Sequence, residues 1–411
     1  MVQKQRIITL LAALLSFTFL FGQQSNDPLL GLRVDVVYLS SDLLEGRETG
    51  KEGENMAAEY IASRFQDIGL APKGDGGSWY QSFDVEYRDN PHAASGEARK
   101  GKNVIAYLDN GAENTVVIGA HYDHLGHGIM GSLNAGEPAI HNGADDNASG
   151  VAAMLRIAEY LKQGKAKNNN YLFIAFSGEE MGLVGSKNFV NNPTINLGKV
   201  NYMLNMDMVG RLNEEKVLAI NGAGTSPAWK PVIEGLSIGG IVAKTSDSGI
   251  GPSDHTSFYL KDIPVLHFFT GQHEDYHKPA DDSERINYRG LLQVTDYMIA
   301  LIEELNNAGK LAFTKTKDES EGRQAAKYKV SLGVMPDYVY SGEGMRIDGV
   351  IDGRPGANAG LENGDVIIRL GDVEVKDIYG YMEGLGKFKA GDKATIVIKR
   401  GEQVLEKVVE F

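Results

Sequence analysis

Two aspartates stand side by side in the segment "NGADDNASG", residues 142–150, directly before an apolar run with helical spacing. Neighbouring carboxylates repel each other, so this arrangement lowers stability unless a cation compensates their charge. Asp, Asn and Ser are also common at the starts of helices, where they accept hydrogen bonds from backbone N–H groups. Asp145 and Asp146 therefore indicate either a helix cap or a cation site, and this segment alone favours the cap.

Further carboxylates and imidazoles follow closely after apolar, strand-like runs elsewhere in the chain. In chain order they are His121, Asp123, Glu179, Glu180, Asp207, His273, His277 and Asp281. Imidazole nitrogens and carboxylate oxygens are ligands of zinc and similar divalent ions, and this set is larger than one ion needs. The residues therefore predict a hydrolytic site with two metal ions.

The elements that would position these residues alternate between short apolar strands and amphipathic helices. Strand-like runs occupy residues 103–108, 115–120, 171–176, 202–206, 217–220 and 264–269, and helical patterns occupy 55–70, 151–162 and 291–305. This alternation is typical of an α/β fold with a mostly parallel central sheet and helices on both faces. Because such sheets bind ligands at the carboxyl ends of their strands, we expect the candidate residues to meet at that edge.

Length, charge and composition limit the domain organisation and the function classes. A chain of 411 residues predicts two or three domains. Its formal net charge of −14 argues against nucleic acid or an anionic membrane surface as a partner. The chain contains no cysteine, which excludes disulfides, thiolate metal ligands and thiol catalysis.

The N-terminal segment, residues 1–22, has the pattern of a signal peptide. Positive charges in "MVQKQR" precede the apolar run at residues 7–21, and polar residues follow it at once. The run is short for a membrane-spanning helix. We expect cleavage after Gly22 and export to the periplasm or the medium, without a stable membrane anchor. An uncleaved anchor is the alternative.

Five motifs resemble, in the same order, those of the co-catalytic dizinc aminopeptidases, a family that also includes glutamate carboxypeptidase and the glutaminyl cyclases. They are "GAHYDHLG", "NGADDNASG", "FSGEEMGLVGS", "NMDMVG" and "YHKPADD", and "LLEGRETGKEGENMAAEYIASRFQDIGLAP" matches the family's opening. The resemblance covers roughly residues 34–305 and implies a peptidase domain over residues 27–305. It further implies a cofactor of two Zn²⁺ ions, with other divalent ions as an alternative, and peptides as substrates.

The resemblance assigns the metal ligands residue by residue. Asp145 would bridge both ions through its two carboxylate oxygens. Glu180 and His277 would complete the protein ligands of one ion, and His121 and Asp207 those of the other.

It also implies supporting roles around these ligands. Glu179 would be the general base, and Asp123 and Asp281 would orient the imidazoles of the first and second histidine ligand by hydrogen bonds. In the family, the bond after the bridging aspartate is a cis peptide, so the bond between Asp145 and Asp146 is the expected position.

The remaining polar residues near these motifs have alternative interpretations. His124 and His127 are interpreted as loop residues, although either could line the site. His273 competes with the second histidine ligand, but the sequence "KPAD" does not follow it. Asp254 and His255 either contact the substrate or cap the helix that follows.

The C-terminal part, residues 327–411, resembles a PDZ domain and is joined to the rest by a polar linker at 306–326. Residues 350–375 match the bacterial PDZ pattern of strand, small-residue helix, Gly-Asp turn and strand. "SLGV" at 331–334 resembles the loop whose backbone N–H groups capture a peptide carboxylate. A peptide C-terminus is the expected partner, and a purely structural role is the alternative.

The combined interpretation is an exported metal-dependent aminopeptidase with a PDZ-like domain. A glutaminyl-peptide cyclase is one alternative, although it would use one zinc and the ligand set here is complete for two. A carboxypeptidase would need a basic pocket that the sequence does not reveal. A PDZ scaffold with an inactive peptidase domain is the non-enzymatic alternative, but the base and every ligand are present.

Overall fold

A computed structural model of the chain describes residues 27–87, 96–134, 136–316, 330–336, 340, 342–350 and 353–411. The predicted signal peptide lies outside these residues. The described residues form a large sheet with helices and a smaller β-rich unit that follows it. None of the helices in these ranges is long and apolar enough to cross a membrane.

The large sheet has a parallel centre and antiparallel edges. Its strands are β1 (Ala71–Pro72), β2 (Tyr80–Tyr87), β3 (Glu97–Leu108), β4 (Thr115–His121), β5 (Asn170–Phe176), β6 (Val200–Met206), β7 (Val217–Asn221), β8 (Val242–Thr245) and β9 (Val265–Phe269). Their order is β1-β3-β5-β4-β6-β9-β7-β8, with β2 beside β3. Strands β5, β4, β6 and β9 are parallel neighbours, whereas β3 and β7 pair antiparallel with β5 and β9. The α/β class and the parallel centre are therefore confirmed, but the sheet as a whole is mixed, because β1–β3, β2–β3, β3–β5 and β7–β9 are antiparallel pairs.

Helices cover both faces of this sheet, as predicted. They are α1 (Pro28–Leu39), α2 (Glu52–Ile68), α3 (Gly150–Lys162), α4 (Val184–Asn191), α5 (Trp229–Gly235), α6 (His255–Tyr259) and α7 (Tyr288–Leu305). Strand β4 is buried along its whole length. Its Val116 and Ile118 join the core beneath α1, α2, α3 and α7, whereas Val117 joins a second core with Phe189 of α4 and Phe258 of α6. Burial on both faces explains why the strand is apolar throughout rather than alternating.

The C-terminal unit has its own sheet and its own core. Its elements are β10 (Val334–Pro336), β11 (Met345–Val350), α8 (Pro355–Asn358), β12 (Val366–Leu370), β13 (Val373–Glu374), α9 (Ile378–Leu385), β14 (Lys393–Arg400) and β15 (Gln403–Glu410). The strand order is β10-β11-β12-β14-β15, with β13 beside β12. Arg400 holds the buried Asp365 carboxylate through two hydrogen bonds of 2.7 and 2.8 Å.

The described part of the predicted linker, residues 306–316, lies on the large unit. Leu311 donates its backbone N–H to Asn201 at 2.7 Å, and Thr316 donates its own to the Tyr259 hydroxyl at 3.1 Å. A flexible linker would not make such contacts. The segment therefore extends the large unit beyond the end of α7.

Candidate metal centre and active site

The candidate residues meet at the carboxyl edge of the parallel strands. His121 ends β4, Glu179 and Glu180 follow β5, and Asp207 follows β6. The loop before α3 and the loop after β9 supply one further residue each, Asp146 and His277. All six line one cavity of about 970 Å³.

Asp146 lies at the centre of this group, with one carboxylate oxygen toward each of two histidines. Its Oδ1 is 3.2 Å from Nε2 of His121, and its Oδ2 is 3.2 Å from Nε2 of His277. Asp207 Oδ1 lies 3.3 Å from the first of these imidazoles, and Glu180 Oε1 lies 3.4 Å from the second. The arrangement is two pairs of imidazole and carboxylate that share one aspartate.

Asp145, which the sequence analysis placed at this central position, does not lie there. Its Oδ1 accepts a hydrogen bond of 2.6 Å from the Gly210 N–H, and its Oδ2 is 3.2 Å from Nε2 of His273. The assignment is therefore corrected to Asp146, because the carboxylate of Asp145 is turned toward the loop after β6. The cis peptide bond likewise lies between Asp146 and Asn147, one residue later than predicted.

Asp281 also has a different role from the predicted one. Its carboxylate accepts hydrogen bonds of 3.0 Å from the N–H groups of both Asp145 and Asp146. The Nδ1 of His277 instead lies 2.9 Å from the Gly131 carbonyl oxygen. Because a carbonyl can only accept, Nδ1 carries a proton in this contact, and Nε2 is the nitrogen that faces the cluster. Asp281 thus fixes the backbone of the central aspartate, and not the imidazole.

Asp123 lies beside His121, where the sequence analysis placed it. Its Oδ1 is 3.7 Å from Nδ1 of this imidazole, and its backbone oxygen is 3.2 Å from the same atom. The Oδ1 atom also accepts a 3.1 Å hydrogen bond from the N–H of Glu179. Asp123 therefore fixes the backbone of the candidate base as well as the neighbouring imidazole.

His124 belongs to the cluster, although it was interpreted as a loop residue. Its buried Nδ1 lies 3.0 Å from Glu180 Oε1 and 3.9 Å from Asp146 Oδ2. His127 is exposed in the same loop, so its interpretation as a loop residue agrees with the structure. The sequence offers little to separate these two histidines, because only the fold shows which one turns inward.

Arg47 is a supporting residue whose role the sequence does not reveal. Its fully buried guanidinium donates hydrogen bonds to the carbonyl oxygens of Leu39, Tyr122, Asn142 and Gly143. These contacts join the end of β4 to the segment that leads into the two aspartates. Burial lowers the pKa of Arg47 to about 10, while the carboxylates of the cluster oppose this shift.

Three non-glycine residues at or beside the site have a left-handed backbone. Their φ angles are 50° at Arg47, 52° at Met208 and 53° at His277. Side chains disfavour this region, so the surrounding contacts must hold these residues in place. Asn147 supplies such contacts, because its side chain accepts from the Met208 N–H at 3.2 Å and donates to the Met206 carbonyl at 2.9 Å.

The electrostatics of the cluster favour cations. Burial alone would lower the pKa of the His121 and His277 imidazoles, but the neighbouring carboxylates, Asp207 and Glu180 foremost, raise both well above the usual value. Burial would raise the pKa of the Asp146 and Glu180 carboxyls, but the imidazoles hold the first well below its usual value and the second at about 2. Positive charge is therefore strongly favoured at this position.

Glu179 differs from the other carboxylates of the cluster. Burial raises the pKa of its carboxyl well above the usual value, and the carboxylates of Asp207 and Glu180 raise it further, while His121 opposes the shift. A carboxyl with a raised pKa holds a proton more readily than the low-pKa carboxylates beside it. This difference suits a group that accepts and returns protons.

The donor set fits metal ions of the zinc type. His121, Asp146 and Asp207 present one group of ligand atoms within 4.8 Å of one another, and His124, Asp146 and Glu180 present a second. His277 faces the second group through Nε2. Nitrogen and oxygen donors of these types are the ones that zinc accepts in catalytic sites. Asp146 is common to both groups.

Asp254 and His255 are buried beside this site. Asp254 precedes α6 but makes no capping hydrogen bond, so the capping alternative is wrong for this residue. The His255 imidazole stacks on that of His267 with ring centroids 4.6 Å apart, and His267 lines the cavity. Burial raises the pKa of the Asp254 carboxyl to about 7.

The sequence matches two family models that agree with this geometry. The model described as "Peptidase family M28" matches residues 103–302, and a PDZ domain model matches residues 314–410. The chain therefore carries a peptidase domain of family M28 followed by a PDZ domain, as the sequence motifs predicted.

Two named relatives are each similar to less than half of this chain. Leupeptin-inactivating enzyme 1 of Streptomyces exfoliatus is 31% identical over 45% of this chain and 39% of its own length. Aminopeptidase YwaD of Bacillus subtilis is 30% identical over 46% of this chain and 40% of its own length. The alignments thus span about two fifths of these relatives.

Solved structures share the fold at low sequence identity. A zinc aminopeptidase from Bacillus subtilis has a TM-score of 0.55 at 18% identity, and the alignment covers 69% of this chain and 95% of the aminopeptidase chain. A Porphyromonas gingivalis glutaminyl cyclase has a TM-score of 0.53 at 18% identity, and the alignment covers 67% of this chain and 98% of the cyclase chain. The α/β architecture is therefore common to both enzyme classes.

Proposed function

We propose that this protein is a metal-dependent aminopeptidase that binds two zinc-type ions. The central observation is that the two oxygens of Asp146 face two separate groups of ligand atoms. His121 and Asp207 would complete one site, and Glu180 with His277 the other. His124 is an additional candidate ligand at the second site. Zinc ions bound here would lower the pKa of a water molecule and polarise the scissile carbonyl.

Glu179 is the proposed general base of the reaction. It lines the same cavity as Asp146 and Asp207, and its backbone is held by Asp123. In the proposed reaction its carboxylate takes the proton of the attacking water and returns it to the nitrogen of the leaving group. The high pKa of its carboxyl in the metal-free cluster would fall once cations compensate the neighbouring carboxylates.

The charge of the cavity supports recognition of a free amino terminus. Carboxylates of Asp146, Glu179, Glu180 and Asp207 line it, and neither Lys nor Arg is among the described lining residues. Bound metal ions would offset the charges of Asp146, Glu180 and Asp207, but Glu179 is not a proposed ligand, so its carboxylate would remain to attract a substrate ammonium group. A substrate carboxylate would find no cationic side chain among the described lining residues. This asymmetry favours an aminopeptidase over a carboxypeptidase.

The test uses the purified chain with measured metal content and three kinds of substrate. An amino-acid anilide with a free amine should be hydrolysed, and chelation should abolish the activity. The same anilide with an acetylated amine should remain intact, because its charge at the acidic end is lost. Release of ammonia from a peptide with N-terminal glutamine, without anilide hydrolysis, would instead support a glutaminyl-peptide cyclase. No reaction with any substrate in the metal-loaded chain would support a non-catalytic role.

We also propose that the protein is exported, because residues 1–22 have the signal-peptide pattern. The absence of cysteine is compatible with an oxidising compartment, since no thiol would be at risk. Mass spectrometry of the protein from cell fractions checks this proposal. A mature chain that begins at Gln23 in the periplasm or medium is expected, and a full-length chain in the cytoplasm would contradict it.

A further inference from the structure

The cavity at the metal centre is lined by both domains. One wall is the acidic edge of the sheet, with Asp146 and Glu179. The other contains Ser331, Gly333 and Val334 of the PDZ domain, together with Pro336 and Met382. We call the second surface the PDZ wall. Because both walls border one space of about 970 Å³, a single ligand can touch both, and this volume suits one small ligand.

The PDZ wall has the features of a surface that pairs with an extended peptide. Strand β10 stands at the edge of the PDZ sheet, and within the described residues its strand neighbour is β11 alone. Met382 of α9 borders the same cavity. An edge strand beside a helix offers main-chain hydrogen bonds to an added peptide strand and a groove for its side chains.

The loop that leads into β10 can receive a carboxylate. Gly333 has a φ of +67°, and its N–H bonds to the Ser331 hydroxyl oxygen at 3.0 Å, which leaves the hydroxyl proton available as a donor. Among the described residues, the Leu332 N–H has no backbone acceptor. Arg354 packs against the loop, since a Cβ added at Gly333 would lie 2.3 Å from its Cβ. A positive side chain therefore stands beside these donors.

We propose that the substrates are short peptides held at both ends, with the amino terminus at the acidic wall and the terminal carboxylate at the loop 331–334. This inference rests on the proposed aminopeptidase function and adds the substrate class. The charges support this orientation, because Arg354 stands beside the donors of the loop, whereas neither Lys nor Arg is among the described residues that line the acidic wall. The opposite wall supplies donors for the carboxylate.

The test compares peptides of two to eight residues as free acids and as C-terminal amides, using the full chain. At one short peptide length, the kcat/KM of the free acid should be at least about tenfold higher than that of its amide. A ratio of this size is expected from one well-formed hydrogen bond to a charged group. The ratio should approach one for longer peptides, because a chain longer than the distance between the walls does not fit in the cavity with both ends bound. An equal kcat/KM for acid and amide at every length would overturn the proposal.

A pair of charge-adding variants locates the contact. Ser331→Asp places a carboxylate in the loop and should reduce the ratio of acid to amide toward one, because like charges repel. Gln403→Glu adds the same charge on β15, at the opposite edge of the PDZ sheet, and should keep the ratio of the parent. If both variants keep the parent ratio, the loop is not the carboxylate site.

Failure of the proposed aminopeptidase function can be distinguished from failure of the proposed substrate class. If the chain hydrolyses no substrate with a free amine, the proposed aminopeptidase function fails. If amino-acid anilides are hydrolysed but acids and amides react alike, only the substrate class proposed here fails. The comparison of acid and amide needs no variant, so it remains decisive even where Ser331→Asp does not fold.

Discussion

Two pairs of buried carboxylates in this domain form layers with opposite chemistry. Asp146 and Glu180 form the front layer, which lines the cavity and faces imidazoles that lower the pKa of both groups. Glu54 and Asp281 belong to a rear layer that accepts hydrogen bonds mainly from backbone N–H groups and a hydroxyl. Burial raises the pKa of these two carboxyls to about 8 and about 6.

This difference separates carboxylates that bind cations from carboxylates that shape the loops. A buried carboxylate needs either a positive partner or a proton. The carboxylate oxygens of the front layer point into a space where cations fit, whereas those of the rear layer accept hydrogen bonds mainly from backbone N–H groups. Of the adjacent aspartates, Asp146 belongs to the front layer, whereas Asp145 shares with the rear layer a hydrogen bond from a backbone N–H, that of Gly210, and turns its second oxygen toward His273. Substitutions in the two layers should therefore have different effects.

The largest effect is expected for Asp146→Asn. This variant keeps the shape but removes the charge that both groups of ligand atoms share, so bound metal should largely be lost. The fall in kcat/KM should exceed the ~10⁴-fold upper range of a single proton-transfer group, because both proposed metal sites would be affected. Elemental analysis and anilide hydrolysis measure the two effects. Retention of both ions with near-parent activity would exclude Asp146 as the shared ligand.

The next largest effect is expected for Glu179→Gln. Turnover should fall by the ~10²–10⁴-fold typical of general acid–base groups, while metal content stays unchanged because the side chain is not proposed as a ligand. Glu180→Gln is the matched comparison, since it should lower metal content as well as turnover. Activity of Glu179→Gln within a few-fold of the parent would contradict the assignment of the base.

A smaller effect is expected for Asp145→Asn, the neighbour of the proposed shared ligand. Its carboxylate joins the Gly210 N–H to the vicinity of His273, and so connects the loops that carry Asp207 and His277. Loss of such support typically costs ~10–100-fold in metal affinity or activity. Metal titration of Asp145→Asn beside Asp146→Asn compares the two aspartates directly. If Asp145→Asn lost more metal, the original sequence-based assignment would be correct.

The sequence predicts the elements and the edge where the site lies, but it does not separate the two layers. His121 and Asp207 could be placed because each ends or directly follows an apolar strand, and parallel strands end together. Asp145 and Asp146 precede the same helix in the same motif, so neither spacing nor residue type distinguishes them. The choice depends on the Gly210 N–H and His273, which are distant in the sequence.

Other parts of the site are hidden from the sequence for a related reason. Asp281 binds backbone N–H groups, which every residue except proline carries, so its partners leave no pattern in the side chains. Arg47 likewise binds four carbonyl oxygens. Both residues lie in motifs that could be recognised, but their roles depend on backbone positions that only the folded chain defines.

The smallest effect on catalysis and a clear effect on stability are expected for Glu54→Gln. The Glu54 carboxyl bonds to the Gly50 N–H at 2.6 Å and to the Ser177 hydroxyl, and it has no positive partner among these contacts. Burial raises its pKa from 4.5 to about 8. Between these values the folded chain holds a proton that the unfolded chain has released. The stability of the parent should therefore fall as the pH rises from about 5 to 8, by a few kcal/mol at about 1.4 kcal/mol per pKa unit.

Glutamine can accept from the Gly50 N–H through its amide oxygen and donate to the Ser177 hydroxyl oxygen through its amide nitrogen, without a charge. Glu54→Gln should therefore remove this part of the pH dependence. Urea unfolding at pH 5 and pH 8.5 measures this pH dependence. The free energy of unfolding of the variant should exceed that of the parent at pH 8.5, and the two should be similar at pH 5. Glu59→Gln on the exposed side of the same helix is the control, because it removes an equal charge from a solvated position. If both variants changed the pH dependence equally, burial of Glu54 would not be its cause. The rear layer would then differ from the front in geometry alone, because its carboxylates would carry no penalty for ionisation.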